Sequence, residues 1–178
     1  MARLFVSIEL PAWVRAEMTR MQCDVPGARW MPVEQLHLTL SFIGEVDGLA
    51  RRDAEDALDE VEAARFDLEL AGVGHFPPRG QPRVLWVGAC RSPALLELHE
   101  RVERALGRAG LPREARNFHP HVTLARLRDT PARAVAAFVM QHNLFRAGPI
   151  PVDAFHLYSS RLGARGAVHT PEMSWPLD

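Results

Sequence analysis

The 178-residue chain reads as an α+β protein made of two similar lobes that face each other across a cleft. Three observations predict this class. Short strand-like stretches take turns with amphipathic helical stretches along the whole length. Their order, β-α-β-α-β, occurs twice, as an internal duplication would leave it. One four-residue pattern, His-x-Thr-x with apolar residues at x, stands once in each half, as His37-Leu38-Thr39-Leu40 and His121-Val122-Thr123-Leu124. The length suits a single domain with a sizeable core. Residues 1–178 therefore read as one bilobal domain with pseudo-two-fold symmetry, its cleft lined by the two pattern strands.

Each element has a local reason. Leu4-Phe5-Val6-Ser7-Ile8 reads as a buried strand. Pro11 opens a helix, where a first-turn Pro is tolerated, and Trp13, Val14, Met18 and Met21 recur on one helical face. Pro26-Gly27 breaks it. Leu36 to Ile43 is the first pattern strand, ended by Gly44. Residues 48–64 carry Leu49, Ala57, Leu58 and Val61 at amphipathic spacing. Phe66 to Val73 alternates like a half-buried strand, Phe76-Pro77-Pro78-Arg79-Gly80 is a turn, and Val84 to Ala89 is another strand. A helix from Pro93 to Ala109 closes at Gly110, a C-terminal cap. Phe118 to Leu127 holds the second pattern strand. Thr130 caps a helix opened by Pro131. Phe145 to Tyr158 is strand material interrupted by Gly148-Pro149, and Gly163 to Asp178 is turn-rich.

Composition excludes several kinds of chemistry. The formal net charge is −1, which argues against an electrostatic grip on long duplex nucleic acid while leaving a short RNA end open. Every basic residue is Arg, so a Lys nucleophile, a Schiff base and a P-loop lysine are excluded. Cys23 and Cys90 form no CxxC and read as reduced thiols. No signal peptide and no apolar run of membrane-spanning length is apparent, so a soluble, cytoplasmic protein with no membrane partner is expected.

The chemistry sits in the repeated pattern. Side chains alternate faces along a strand, so His37 and Thr39 point one way and Leu36, Leu38 and Leu40 the other. The second copy groups His121 with Thr123 in the same manner. Two imidazoles on opposite sides of a small site suit paired proton transfer, because an imidazole titrates near neutrality. Phosphodiester hydrolysis needs such a pair, one group for the attacking water and one for the leaving oxygen. Thr hydroxyls would donate to the non-bridging phosphate oxygens. A lone His-x-Thr-x is weak; two copies in matching strand contexts are far more specific.

The wider text resembles the 2H phosphoesterase superfamily, and within it the bacterial and archaeal RNA 2′,3′-cyclic phosphodiesterases once called 2′-5′ RNA ligases. The resemblance runs through Arg3-Leu4-Phe5-Val6, Glu9-Leu10-Pro11, Leu36 to Gly44, Gly72 to Pro77, Pro82 to Trp86, Phe118 to Arg126, and Phe155 to Ser160. It implies a bilobal fold with a central cleft, and hydrolysis of a terminal 2′,3′-cyclic phosphate to a 2′-phosphomonoester. It implies His37 as proton donor to the departing O3′, His121 as proton acceptor from water, and Thr39 and Thr123 as phosphate-binding groups. It implies no cofactor and no metal, RNA or oligonucleotide ends as partners, and a monomer.

Arg126 matches a family arginine that reaches the phosphate. Strict alternation puts it opposite His121, so it serves the site only if the strand ends or bulges first, a reading that the fit of Arg to phosphate favours over a plain surface residue. Phe42 likewise falls opposite His37 by parity, with base stacking and core packing as its two uses. Ser41 stands where relatives are often basic, which would remove a charge from the cleft rim. His119 and His121 form an H-x-H, but Pro120 and the lack of a nearby carboxylate or Cys cluster argue against zinc. His75 and His156 read as structural, His99 and His142 as surface residues of helices, and His169 as a tail residue without a role. Glu9, Glu34 and Asp153 are candidates to orient a catalytic imidazole. Three alternatives stay open: reversible 2′-5′ ligation or another cyclic phosphate on the same machinery, an RNA-end binding module without turnover, and a metallohydrolase using His119 and His121.

Overall fold

The computed structural model describes residues 2–164 and 166–178; Met1 and Arg165 lie outside the described residues. The elements in chain order are β1 (Ala2–Glu9), α1 (Ala12–Thr19), β2 (Ala28–Trp30), a 3-10 turn (Val33–Gln35), β3 (His37–Val46), α2 (Gly48–Asp59), β4 (Phe66–Phe76), β5 (Val84–Ala89), α3 (Pro93–Arg108), β6 (His121–Leu127), α4 (Ala132–His142), β7 (Arg146–Val152), β8 (Ala154–Gly163) and β9 (Gly166–Pro176). The two β-α-β-α-β units are thus β1-α1-β3-α2-β4 and β5-α3-β6-α4-β7, followed by the β8–β9 hairpin.

All strand pairs are antiparallel, in the order β7-β4-β5-β6-β3-β1-β8-β9, with β2 added on β6. This order is symmetric about the β6–β3 junction, where the two pattern strands meet. The lobes are not consecutive halves of the chain. β4 leaves the first unit to pair with β5 and β7 of the second, while β8 returns from the second to pair with β1. The exchange ties both lobes together through the chain itself.

One contiguous core lies behind the sheet. Leu4, Val6 and Ile8 of β1, Leu38 and Leu40 of β3, Leu85 and Val87 of β5, and Val122 and Leu124 of β6 join Val14, Met18, Leu58, Leu98, Val102, Val135 and Phe138 of the helices. Local chemistry fixes the helix ends. The Asp47 carboxylate accepts from the Leu49 and Ala50 amides at 3.0 and 2.9 Å, satisfying donors the helix leaves orphaned. Ser92 accepts from Leu95 N at 3.2 Å with Pro93 at the first turn. Gly110, at φ +78°, takes the left-handed turn that ends α3.

Several sequence expectations are corrected. The second helix ends at Asp59, five residues short of the expected 64. The second pattern strand begins at His121, since Pro120 cannot donate a ladder bond. Trp13 faces solvent at 49 % exposure. Thr130 does not cap α4; Pro131 occupies that position without a side-chain bond, and the Thr130 hydroxyl is buried with no hydrogen-bond partner among the described residues. Residues 166–176 form β9 rather than turns. Its side chains do not alternate cleanly, because the strand lies at the sheet edge. His99 stacks on Phe118 at 3.7 Å and bonds the Leu40 carbonyl at 2.9 Å, and His142 packs on Phe138 at 4.6 Å.

Candidate active site

The pattern strands meet at one register pair, Leu38 opposite Val122. Both side chains are fully buried. By alternation the flanking residues turn to the other face, so His37, Thr39, His121 and Thr123 share one groove. Antiparallel register sets His37 toward Thr123 and Thr39 toward His121. The two histidines are then diagonal neighbours, a relationship that spans about 7–8 Å in an antiparallel pair.

A β-bulge in each strand re-aims the next residues. In β3, Ser7 pairs with Thr39 but Val6 pairs with Ser41, leaving Leu40 as the extra residue. In β6, Trp86 pairs with Thr123 but Leu85 pairs with Ala125, leaving Leu124 as the extra residue. The bulged residue is the last of the four-residue pattern in both copies. Each bulge inverts the parity beyond it. Leu40 with Ser41, and Leu124 with Ala125, all go to the core, and Phe42 and Arg126 emerge exposed on the groove side.

Both residues therefore face the groove, and the bulge on which the reading of Arg126 depends is present. Ser41 is corrected the other way. It is buried and its hydroxyl donates to Glu103 of α3, so it is no rim residue.

Backbone carbonyls orient the imidazoles. His37 Nδ1 donates to the Gln35 carbonyl at 2.7 Å, and His121 Nδ1 to the His119 carbonyl at 2.6 Å. A carbonyl only accepts, so Nδ1 carries the proton and Nε2 the lone pair of each neutral ring. The Thr39 hydroxyl donates to His37 Nε2 at 3.1 Å. None of Glu9, Glu34 and Asp153 has this orienting role; Glu9 accepts the Tyr158 hydroxyl instead.

Aromatic rings floor the groove on both sides. Buried Phe5 lies under His37 at 4.9 Å, with Tyr158 at 5.5 Å and Phe42 at 6.2 Å from it. In the other lobe Phe76 meets His121 edge-on at 4.9 Å, and Trp86 meets His119 at 5.0 Å. Trp86 fits because its neighbours are glycines. A Cβ at Gly74 would stand 2.4 Å from Trp86 Cζ2, and one at Gly88 3.3 Å from Trp86 Cζ3.

This apolar lining favours the neutral form of both imidazoles. Burial lowers the His37 imidazole to about 4, against the Gln35 carbonyl, with His169 and His121 adding repulsion. Burial also lowers His121, opposed by the His119 carbonyl. The Tyr158 phenol is raised, by burial first and by its bond to Glu9 second. His169, to which the sequence assigned nothing, stands 5.3 Å from His37. Among the described residues no group of three or more His, Cys, Asp or Glu side chains converges as metal ligands would.

A duplicated antiparallel sheet with a His-x-Thr pair on each of its two central strands is the architecture of the 2H phosphoesterases, a class of enzymes. The family model of the 2′-5′ RNA ligase superfamily matches residues 9–164. The chain is 36 % identical over 185 residues to the RNA 2′,3′-cyclic phosphodiesterase of Thermus thermophilus, covering 94 % of this chain and 86 % of that protein. It is 32 % identical over 171 residues to the one of Archaeoglobus fulgidus, covering 94 % and 96 %. Escherichia coli LigT, in its crystal structure complexed with 3′-AMP, superposes with a TM-score of 0.81 at 29 % identity, over 99 % of this chain and 98 % of that one. The chain is an enzyme and belongs to the 2′-5′ RNA ligase superfamily.

Proposed function

We propose that this enzyme hydrolyses RNA or nucleoside 2′,3′-cyclic phosphate ends to 2′-phosphomonoesters by metal-independent, two-histidine acid/base catalysis. It acts as a monomer and without a cofactor. The names of its relatives support the activity. The mechanism rests on one observation: two imidazoles, each with Nδ1 tied to a backbone carbonyl, offer Nε2 to a shared groove on strands joined at Leu38 and Val122.

In this reading water attacks phosphorus and the P–O3′ bond breaks. His121 Nε2 takes the water proton, and His37 gives a proton to O3′, leaving a 2′-phosphate and a free 3′-hydroxyl. His37 must first be charged, and its burial disfavours that. A bound phosphodiester anion supplies the opposite charge that raises it. Protonation of His37 Nε2 ends its acceptance of the Thr39 hydroxyl, which then donates to a non-bridging phosphate oxygen. Thr123 makes the equivalent contact from the other lobe. Arg126 adds a charged fork, and Phe42 offers a face to the terminal base.

Adenosine 2′,3′-cyclic phosphate in excess chelator tests the activity. Conversion to 2′-AMP is the expected result. Loss of turnover in chelator, or 3′-AMP as product, contradicts the proposal.

A further inference from the structure

The third imidazole, His169, lies outside the repeated pattern, yet the β8–β9 hairpin sets it against the groove. Its ring meets His37 edge-on at 5.3 Å and Phe5 at 4.9 Å, and the charge of Arg126 acts on it. The hairpin is fastened by one hydrogen bond and closely approached at its tip. The Gln35 side chain donates to the Ala167 carbonyl at 2.8 Å, while the Gln35 carbonyl holds His37 Nδ1. At the hairpin tip, Gly166 lies so close to Arg29 of β2 that a Cβ would stand 1.5 Å from its Nη2. Arg29 in turn pairs with Arg126 across β2–β6.

The nitrogens of His169 differ in their surroundings. Among the described residues Nδ1 is buried without a hydrogen-bond partner, and the residue is otherwise partly exposed. A buried N–H without an acceptor is costly, whereas a bare ring lone pair loses less. The proton of the neutral ring therefore belongs on Nε2. This is the opposite tautomer to His37 and His121, whose Nδ1 groups face carbonyls. On this assignment the His169 ring carries its proton on Nε2, where His37 and His121 carry a lone pair.

We propose that His169 is a substrate-positioning residue whose neutral Nε2–H donates to a phosphate oxygen held between His37 and Arg126. It neither gives nor takes a proton in the reaction. Its donor adds to ground-state and transition-state binding alike, which appears in KM rather than in kcat. This rests on the groove being a phosphate site, as the proposed function has it.

The test compares His169→Phe, which keeps a flat ring on Phe5 and His37, with His169→Gln, whose amide N–H falls near the Nε2 position. Binding of 2′-AMP and of inorganic phosphate is measured by calorimetry, with thermal unfolding as a check on packing. His169→Phe is expected to bind both about tenfold more weakly, the size of one hydrogen bond to a charged group, and His169→Gln to bind as the unaltered protein does. For a turned-over cyclic phosphate, KM follows the same order at nearly constant kcat. Equal binding by the Phe variant and the unaltered protein overturns the proposal, as does equal weakening in both variants. If the unaltered protein binds phosphate but turns over no cyclic phosphate, the function fails while the binding comparison still decides the role of His169.

Discussion

Leu38 and Val122 are direct partners across β3 and β6, the register pair through which the two lobes join. A slip of one residue would turn every pattern side chain to the other face. Burial of both partners prevents it, so the core sets the spacing of the groove. The fold thus ties the position of two polar pairs to the packing of two apolar residues.

The bulge after each pattern makes Arg126 a groove residue without a packing role. Arg126→Ala is expected to leave the melting temperature within the range of a surface change. It should weaken 2′-AMP binding by roughly 10- to 100-fold, the usual size of a charge-assisted contact. Calorimetric titration together with thermal unfolding checks both halves.

Stability should fall as pH drops from about 6.5 toward 4. His37 is near 4 in the folded protein and near 6.5 when unfolded. Between those values the unfolded chain binds more protons, so stability rises with pH across the window. The full effect for this group is at most about 3 kcal/mol. His37→Asn keeps a donor toward the Gln35 carbonyl and cannot titrate. Urea unfolding from pH 7 to 4.5 should show a shallower loss for that variant than for the unaltered protein.

Gly74→Ala should cost about 1–3 kcal/mol, as overpacking against a rigid ring does. The added methyl meets Trp86 at 2.4 Å, and Trp86 sits beside His119 and His121. Turnover should fall with stability. Gly48→Ala, where nothing among the described residues lies within 4 Å of the new Cβ and the backbone is not left-handed, is the control for added bulk. Denaturant midpoints and Trp fluorescence follow both changes.

Much of this architecture is legible in the sequence because period and spacing are local. Alternation alone grouped His37 with Thr39 and His121 with Thr123, and the repeated β-α-β-α-β order foretold the lobes. The position of the bulges is not legible. Leu40 and Leu124 look like ordinary core residues, and only the register against β1 and β5 exposes them as extra, so Phe42 and Arg126 fell on the wrong face by parity. The orienting groups were missed because they are backbone carbonyls, which any residue supplies; Gln35 and His119 carry no such signal in their side chains. His169 escaped because its partners come from the other end of the chain. Its position two residues beyond Ala167 matters only once Gln35 fastens that strand. The strand character of residues 166–176 was masked by Gly166 and Pro171, residues that read locally as turns.

The most direct measurement of the central claim is turnover of a 2′,3′-cyclic phosphate whose bridging O3′ is replaced by sulfur, a leaving group that needs no proton. His37→Ala and His121→Ala should each slow the ordinary substrate by about 10²-fold or more. With the sulfur substrate, His37→Ala should recover most of that loss and His121→Ala should recover none. Recovery in His121→Ala alone would reverse the two roles, and full activity of either variant on the ordinary substrate would contradict the two-imidazole mechanism altogether.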